Sequence, residues 1–357
     1  MSDITIKDIA RKCGVGVSTV SRAINNHPDI NPQTREKILG VIQETGFVPN
    51  NSARYLKRTE SNDIALIVKG ITNPFFTDMI RVIEEGAAEH GYVAAIRHVE
   101  SAQDEVAVAQ ALVKERRLKG IIFLGGRFLH EEDALEQIGV PFVFAAIGED
   151  PKDVGTAERE RLTRKLCCAN IAVDDVQAAY DAVDYLIGLG HTKIGLISEG
   201  LCVPSVGHLR LRGYRRALAD HGLAYCEDLV CDVRGDIEPF SLQNGYAAAK
   251  TLLERHPDLT AIFCISDVLA IGACRAVSDM GRKVPGDVSV IGFDGLEMGE
   301  YSNPRLTTMR QPLEEIAQQA VRILFGMIDQ KSDPQDLIMQ TRLLVRESTG
   351  PAPEKNA

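Results

Sequence analysis

The period of the apolar positions changes once along the chain, near residue 60. Before that point apolar residues recur at helical spacing. Ile6, Ile9 and Ala10 mark a first helix that Gly14 interrupts, and a second begins near Val17. In the second, Val20 and Ile24 turn toward the first helix, while Val17, Ser18, Ser21, Arg22 and Asn25 share the opposite face. Asn31-Pro32 opens a third helix to about Thr45, with Ile38, Leu39 and Ile42 facing inward. From Ile64 onward short apolar runs alternate with helical stretches: IALIV, VAAIRHV, GIIFLG, FVFAAI, NIAV, KIGLIS, LVCDV, AIFCIS and VSVIGFD. Runs this continuously apolar predict parallel strands covered by helices on both faces. Two such α/β lobes in series place a ligand cleft between them, at the carboxyl ends of the strands.

The first forty-five residues carry a chemical reading of their own. Thr5 followed by Asp8 matches a capping box at the start of the first helix. Two short helices around a glycine turn, with a small polar face tipped by arginine on the second, fit a helix-turn-helix whose second helix enters a major groove. Helical hairpins are common, so the geometry alone does not separate this from a structural hairpin with a solvated face.

Charge sharpens the division. The chain of 357 residues has a formal net charge of −10, yet residues 1–60 hold nine Lys/Arg against six Asp/Glu, about +3, leaving about −13 for the rest. A basic end on an acidic body concentrates phosphate attraction at that end. The eight cysteines are scattered and form no CxxC. His221, Cys226 and Cys231 lack a fourth ligand at zinc spacing, and Cys264 and Cys274 sit in apolar runs as core residues. No run is long enough to span a membrane, and the first residues are polar and acidic, not those of a leader; the expected compartment is the cytoplasm.

The segments DIARKCGVGVSTVSRAINN, TREKI and GFVPNNSARYL closely resemble the DNA-binding headpiece of the LacI/GalR family of bacterial transcription regulators. Beyond them NPFF, VDD, GHTKIGLI, RLRGYRRAL, VSVIGFD, PRLTTMRQP and VRESTG resemble the periplasmic-binding-protein-like core of the same family, so the likeness spans nearly the whole chain. The implied architecture is α/β: a two-lobed core of doubly wound parallel sheets preceded by a small all-α helix-turn-helix headpiece. The implied domains are a headpiece over 1–49, a hinge helix and linker over 50–61, a core over 62–350 and a polar tail over 351–357. The resemblance gives the N-terminal lobe roughly 62–171 and 311–332, and the C-terminal lobe roughly 172–310 and 333–350.

The same resemblance implies a homodimeric repressor on a pseudopalindromic double-stranded DNA operator, controlled by a small-molecule effector that is first of all a sugar or sugar derivative, with a purine-like ligand or a phosphorylated protein partner as the alternatives. Arg22 is the main base-reading residue, since a guanidinium can fork onto guanine O6 and N7. Val17 and Ser18 stand at the family's specificity positions, and Thr5, Ser21, Asn25, Asn31 and Thr34 are expected phosphate and positioning contacts. The hinge, Asn50 to Arg58, is too short to be a stable helix alone and is expected to pair with its copy on DNA. There Asn50, Ala53 and Arg54 would face DNA and Leu56 would wedge into the minor groove. In the cleft, Asn73, Phe75, Arg210, Ser266 and Asp294 are the expected effector contacts, with Arg210 donating as a fork and Asp294 accepting from hydroxyls.

Three departures from the family pattern stand out. Gly16 replaces a usual serine. Ser266-Asp267 replaces Asn-Asp, leaving Asp267 as the expected cap of the following helix. A charged insertion over 149–166 includes a surface helix that Thr156 would cap, read as solvated or as a flap at the cleft mouth. Catalysis finds no support: GxSxG, P-loop and HExxH motifs are lacking, and Gly188-Leu189-Gly190 follows a helix where a dinucleotide site needs a strand. No cofactor is implied. The competing reading is a ligand receptor without DNA regulation. The last residues carry no apolar heptads for a coiled-coil tetramer.

Overall fold

The computed structural model describes residues 5–24, 29–45, 62–70, 72–100, 103–126, 130–148, 156–199, 205–233 and 235–354. The expectations for Asn25, Asn50, Ala53, Arg54 and Leu56 lie outside the described residues. The chain divides into two compact units, Met1–Ser61 and Asn62–Ala357.

In the first unit α1 (Ile6–Cys13), α2 (Val17–Ile24) and α3 (Pro32–Thr45) pack around Ile9, Ala10, Cys13, Val20, Ala23 and Ile38. The Asp8 carboxylate accepts from both the Thr5 N–H at 3.0 Å and the Thr5 hydroxyl at 2.6 Å, which fixes the start of α1. Gly14 ends it in the left-handed region at φ 69°, a turn a β-carbon would strain. Asn31 opens α3 by accepting the Gln33 N–H at 2.9 Å.

The second unit holds two six-stranded sheets. The first lobe contains β1 (Asp63–Lys69), β2 (Val93–Val99), β3 (Gly120–Leu124), β4 (Phe142–Ala145), β5 (Cys168–Val173) and, from much later in the chain, β11 (Leu337–Met339). Their order is β11-β5-β4-β3-β1-β2, and every pairing is parallel. The second lobe contains β6 (Ile194–Ser198), β7 (Val230–Asp232), β8 (Ala261–Cys264), β9 (Ser289–Asp294), β10 (Thr307–Arg310) and β12 (Arg342–Leu344). Its order is β12-β10-β9-β8-β6-β7, with β10 and β12 antiparallel and the rest parallel.

Helices cover both sheets. Around the first run α4 (Thr77–Glu89), α5 (Glu105–Arg116), α6 (Glu132–Glu136), α7 (Ala157–Leu166) and α12 (Leu313–Ile328). Around the second run α8 (Asp175–Gly188), α9 (Val206–Asp220), α10 (Leu242–Arg255) and α11 (Asp267–Asp279). Gly213 is where α9 crosses α8; a β-carbon there would stand 2.2 Å from the Val176 carbonyl oxygen. That close approach brings Arg210 beside Asp175.

The chain passes between lobes three times: after β5, after β10 and between β11 and β12. The last passage falls beyond Met339, later than the expected 332–333, because Leu337 to Met339 extend the first sheet by pairing with Ile171 to Val173. The described part of the charged insertion docks on the first lobe. Thr156 caps α7 by accepting the Arg159 N–H at 3.2 Å, Arg159 meets Asp336 at 2.7 Å and Lys165 meets Glu132 at 2.7 Å.

Candidate effector cleft and DNA-reading face

On α2, helical geometry decides which side chains are available. The Gly16 carbonyl accepts the Thr19 and Val20 N–H groups at 2.9 and 3.1 Å, so the helix starts immediately after it. Val20 and Ala23 are buried against α1 and α3, and Ile24 is partly buried on the same core. The other side carries Val17 at 41% exposure with Ser18 and Arg22 also exposed, and Ser21 half-buried beside them. An apolar methyl, a hydroxyl and a guanidinium on one short face match what base edges in a major groove can bond. Thr5 and Asn31 are exposed at the starts of α1 and α3, and Thr34 is half-buried in the first turn of α3. Helix starts favour phosphate oxygens through their unpaired N–H groups.

In the second unit a cavity of about 320 Å³ opens at the carboxyl ends of both sheets. From the first lobe come Lys69 at the end of β1, Gly125 and Gly126 after β3, Ala146 to Gly148 after β4, and Asn73, Phe75 and Phe76 from the turn before α4. From the second come Asp175, Glu199, Arg210 and Asp294, with Glu238 to Phe240 at the rim. Gln311 follows β10 at the passage between lobes. The contributing strands, β1, β3, β4, β5, β6, β9 and β10, all do so at their carboxyl ends, which follows from the parallel topology.

The polar groups are tightly engaged. Arg210 is 4% exposed. Its Nε donates to Asp175 Oδ1 at 2.8 Å, its Nη1 donates to the Ile265 carbonyl, and its guanidinium lies 3.6 Å from the Phe293 ring centre. The fork expected to grip a ligand is therefore largely occupied by Asp175 and the backbone, so Arg210 anchors the cleft floor before any ligand arrives. Asp294 accepts from Gln311 Nε2 at 2.9 Å and sits at φ 120°, a region costly for a side-chain-bearing residue. Ala146, also on the cleft wall, has φ 59°. Such backbone strain, of order 1–3 kcal/mol per residue, gathers where a site must be presented in one geometry.

Burial disfavours the charged forms here. It pushes the Asp294 carboxyl well above the usual range, with Arg210 opposing and Asp267 adding to the rise. Asp175 rises for the same reason, against the pull of Arg210. Glu199 rises through burial and then through repulsion from Asp232.

Asn73, Phe75, Arg210 and Asp294 thus come together around one cavity. Ser266 does not join them. It is 1% exposed, its backbone is extended, and its hydroxyl accepts the Leu269 N–H at 3.3 Å as the cap of α11. Asp267, expected to cap, is instead the first helical residue. It reaches across to the Leu296 N–H at 2.6 Å and the Thr308 hydroxyl at 2.5 Å, bonding the β9 and β10 ends together. Asn73 lines the cavity but commits its carbonyl oxygen to the Phe75 N–H at 3.1 Å. Lys69, Asp175, Glu199 and Gln311 were not among the expected contacts. Glu199 alone carried a local signal, as the first charged residue after the apolar run KIGLIS.

Comparison with known proteins finds relatives of both units of the chain. A sequence profile for bacterial regulatory proteins of the lacI family matches residues 5–50, and one for periplasmic binding protein-like domains matches residues 183–349. The HTH-type transcriptional regulator MalR of Clostridium butyricum is 37% identical over 356 residues, covering 97% of this chain and 99% of its own. The solved transcriptional regulator CelR–cellobiose complex superposes with a TM-score of 0.68 at 29% identity, covering 97% of this chain and 99% of that one. The lac repressor dimer bound to operator and the anti-inducer ONPF shares the fold, with a TM-score of 0.73 at 24% identity over 98% of this chain and 100% of that one.

Proposed function

The chain belongs to the LacI family of bacterial regulatory proteins, and we propose that it acts as a homodimeric repressor whose operator affinity is set by a sugar-like effector in the interlobe cleft. The observation that carries the DNA half is the exposed face of α2, where Val17, Ser18 and Arg22 stand clear of a core formed by Val20 and Ala23. Arg22 would fork onto a guanine, Val17 would meet a thymine methyl, and Ser18 would take a tolerant hydrogen bond. Thr5, Ser21, Asn25, Asn31 and Thr34 would set register on phosphates. Asn50, Ala53, Arg54 and Leu56 would bind the operator centre, with the Leu56 side chain opening a base step.

The effector half is supported by the cavity at the strand ends and by cellobiose in the CelR complex. Phe75 offers an apolar wall to a sugar ring, and the Asp294 carboxyl offers bonds to hydroxyls. Three chain passages link the lobes, so a ligand that prefers one lobe arrangement shifts the population toward it. A coupling of about 1–3 kcal/mol would change operator affinity by roughly 5- to 150-fold.

Selection of the purified protein on a randomised duplex library, with a salt titration, tests this reading. Enrichment of a pseudopalindrome is expected. Binding that stays sequence-blind and collapses with salt, with or without metabolite pools added, would mean that the α2 face does not read bases.

A further inference from the structure

Among the described residues each lobe supplies one cation to the cleft, and each cation already has its own carboxylate. Lys69 Nζ donates to Glu105 Oε2 at 2.7 Å and to the Gln103 carbonyl at 2.8 Å. Glu105 itself is fully buried behind it. Across the cleft Arg210 is paired with Asp175 at 2.8 Å, and both are nearly inaccessible. Three further carboxyls line the same cavity: Glu199, Glu238 and Asp294. Among the described residues no lysine or arginine forms an ion pair with any of them. Arg210 attracts Asp294 and Glu199 from a distance, but its hydrogen bonds go to Asp175 and Ile265. Glu199 also feels Asp232, a like charge. Among the described residues, five carboxyls therefore stand against two cations at and behind the cavity wall.

We infer that the cleft selects by charge: it takes an uncharged polyhydroxylated or heterocyclic ligand and rejects its phosphorylated or carboxylated counterpart, with Glu199 and Glu238 as the residues that set this specificity. The inference rests on the cleft being the effector site. A phosphate-binding cleft presents arginine, lysine or a row of backbone N–H groups with donors to spare. Here the donors of both cations are largely spent inside the wall, and the carboxyls beyond them repel an anion. An anionic ligand would stand against the carboxyls of Glu199 and Glu238, and that repulsion weakens binding. A neutral hydroxyl, by contrast, donates to a carboxylate without that penalty. Burial holds the Asp294 and Glu199 carboxyls above their usual range, and like charges on Asp267 and Asp232 add to the rise.

The test uses matched pairs that differ only in charge, titrated calorimetrically into the full-length protein at pH 7.5: glucose and glucose 6-phosphate, cellobiose and cellobiose 6-phosphate, glucose and glucuronate, adenosine and its 5′-monophosphate. The uncharged member of a binding pair should bind at least about 100-fold more tightly. Glu199→Gln, Glu238→Gln and the double variant should narrow that ratio to below about tenfold by strengthening the charged member. Glu238 is exposed, so its variant remains informative even if Glu199→Gln perturbs folding. A charged member that binds as well as its partner, or a ratio that the glutamine variants leave unchanged, overturns the inference. Binding by the nucleoside pair alone would sink the sugar reading while the ratio within that pair still measures the charge selectivity.

Discussion

Replacing Arg210 with alanine would remove a guanidinium that is 4% exposed and leave its partners behind in the same dry wall. The loss includes the bond to Asp175, the bond to the Ile265 carbonyl and the contact with the Phe293 ring. Breaking a buried ion pair by deleting one partner costs about 3–5 kcal/mol. The cost is not constant, because burial already pushes the Asp175 carboxyl upward and the orphaned acid can take a proton. As pH falls protonation relieves the charge, and the cost drops toward about 2 kcal/mol for the lost hydrogen bond and ring contact. As pH rises the orphaned acid is driven to ionise, and the cost climbs toward about 5 kcal/mol. For an α/β body of this size those values correspond to melting-temperature losses of roughly 5 °C and 10–15 °C. Circular dichroism melts of the full chain at pH 5 and pH 8 follow the change. Asp175→Asn in the same background should recover part of the loss at pH 8, giving a coupling energy of at least about 2 kcal/mol in the double-mutant cycle. A loss equal at both pH values and additive with Asp175→Asn would refute the paired-charge account.

Other perturbations separate the remaining parts. Arg22→Ala should weaken operator binding by about 1–3 kcal/mol and relax base preference at one position of each half-site; unchanged selectivity in a repeated selection contradicts direct readout. Leu56→Ala should weaken operator binding much more than binding to random duplex, and an equal loss on both counts against a minor-groove wedge. Burial pushes Asp267 up to about 7, against hydrogen bonds from Thr308 and the Leu296 and Gly295 backbones. Because an unfolded aspartate titrates near 3.9, the folded form binds the proton more tightly. The stability this gives is full below about pH 4 and is lost as pH rises through about 7, up to about 4 kcal/mol. Asp267→Asn should flatten the fall in urea midpoint between pH 5 and pH 8, and an unchanged slope would assign that fall to other acids.

What the sequence revealed depended on whether the signal was local. IALIV, GIIFLG and VSVIGFD are continuous apolar runs, and each forms a buried parallel strand. β10 lacks that mark because Thr307 and Thr308 are polar and yet fully buried, satisfied by Thr349, Asp267 and the Arg346 N–H. β11 and β12 are three residues long and acquire their identity only by pairing with strands far away in sequence. The exposed face of α2 was legible because its period is local. The cleft was legible only in part. Arg210 and Asp294 lie in distinctive motifs, whereas nothing local in the sequence marks the pairing of Lys69 with Glu105 or of Arg210 with Asp175, which only the folded chain brings together. Ser266 and Asp267 illustrate the limit at single-residue scale. Either could cap α11, and the choice was decided by Thr308 and Leu296, which wait on the far side of β9 to occupy Asp267.

The central claim is that occupancy of the cleft changes what α2 does on DNA. Its most direct test is a titration of a fluorescent operator duplex, taken from the selection, with the full-length protein at fixed salt, with and without a saturating ligand found by calorimetry. A change in operator affinity of at least about fivefold, with affinity for random duplex unaltered, is the predicted result. A ligand that saturates the cleft and leaves the operator curve where it was would contradict the account.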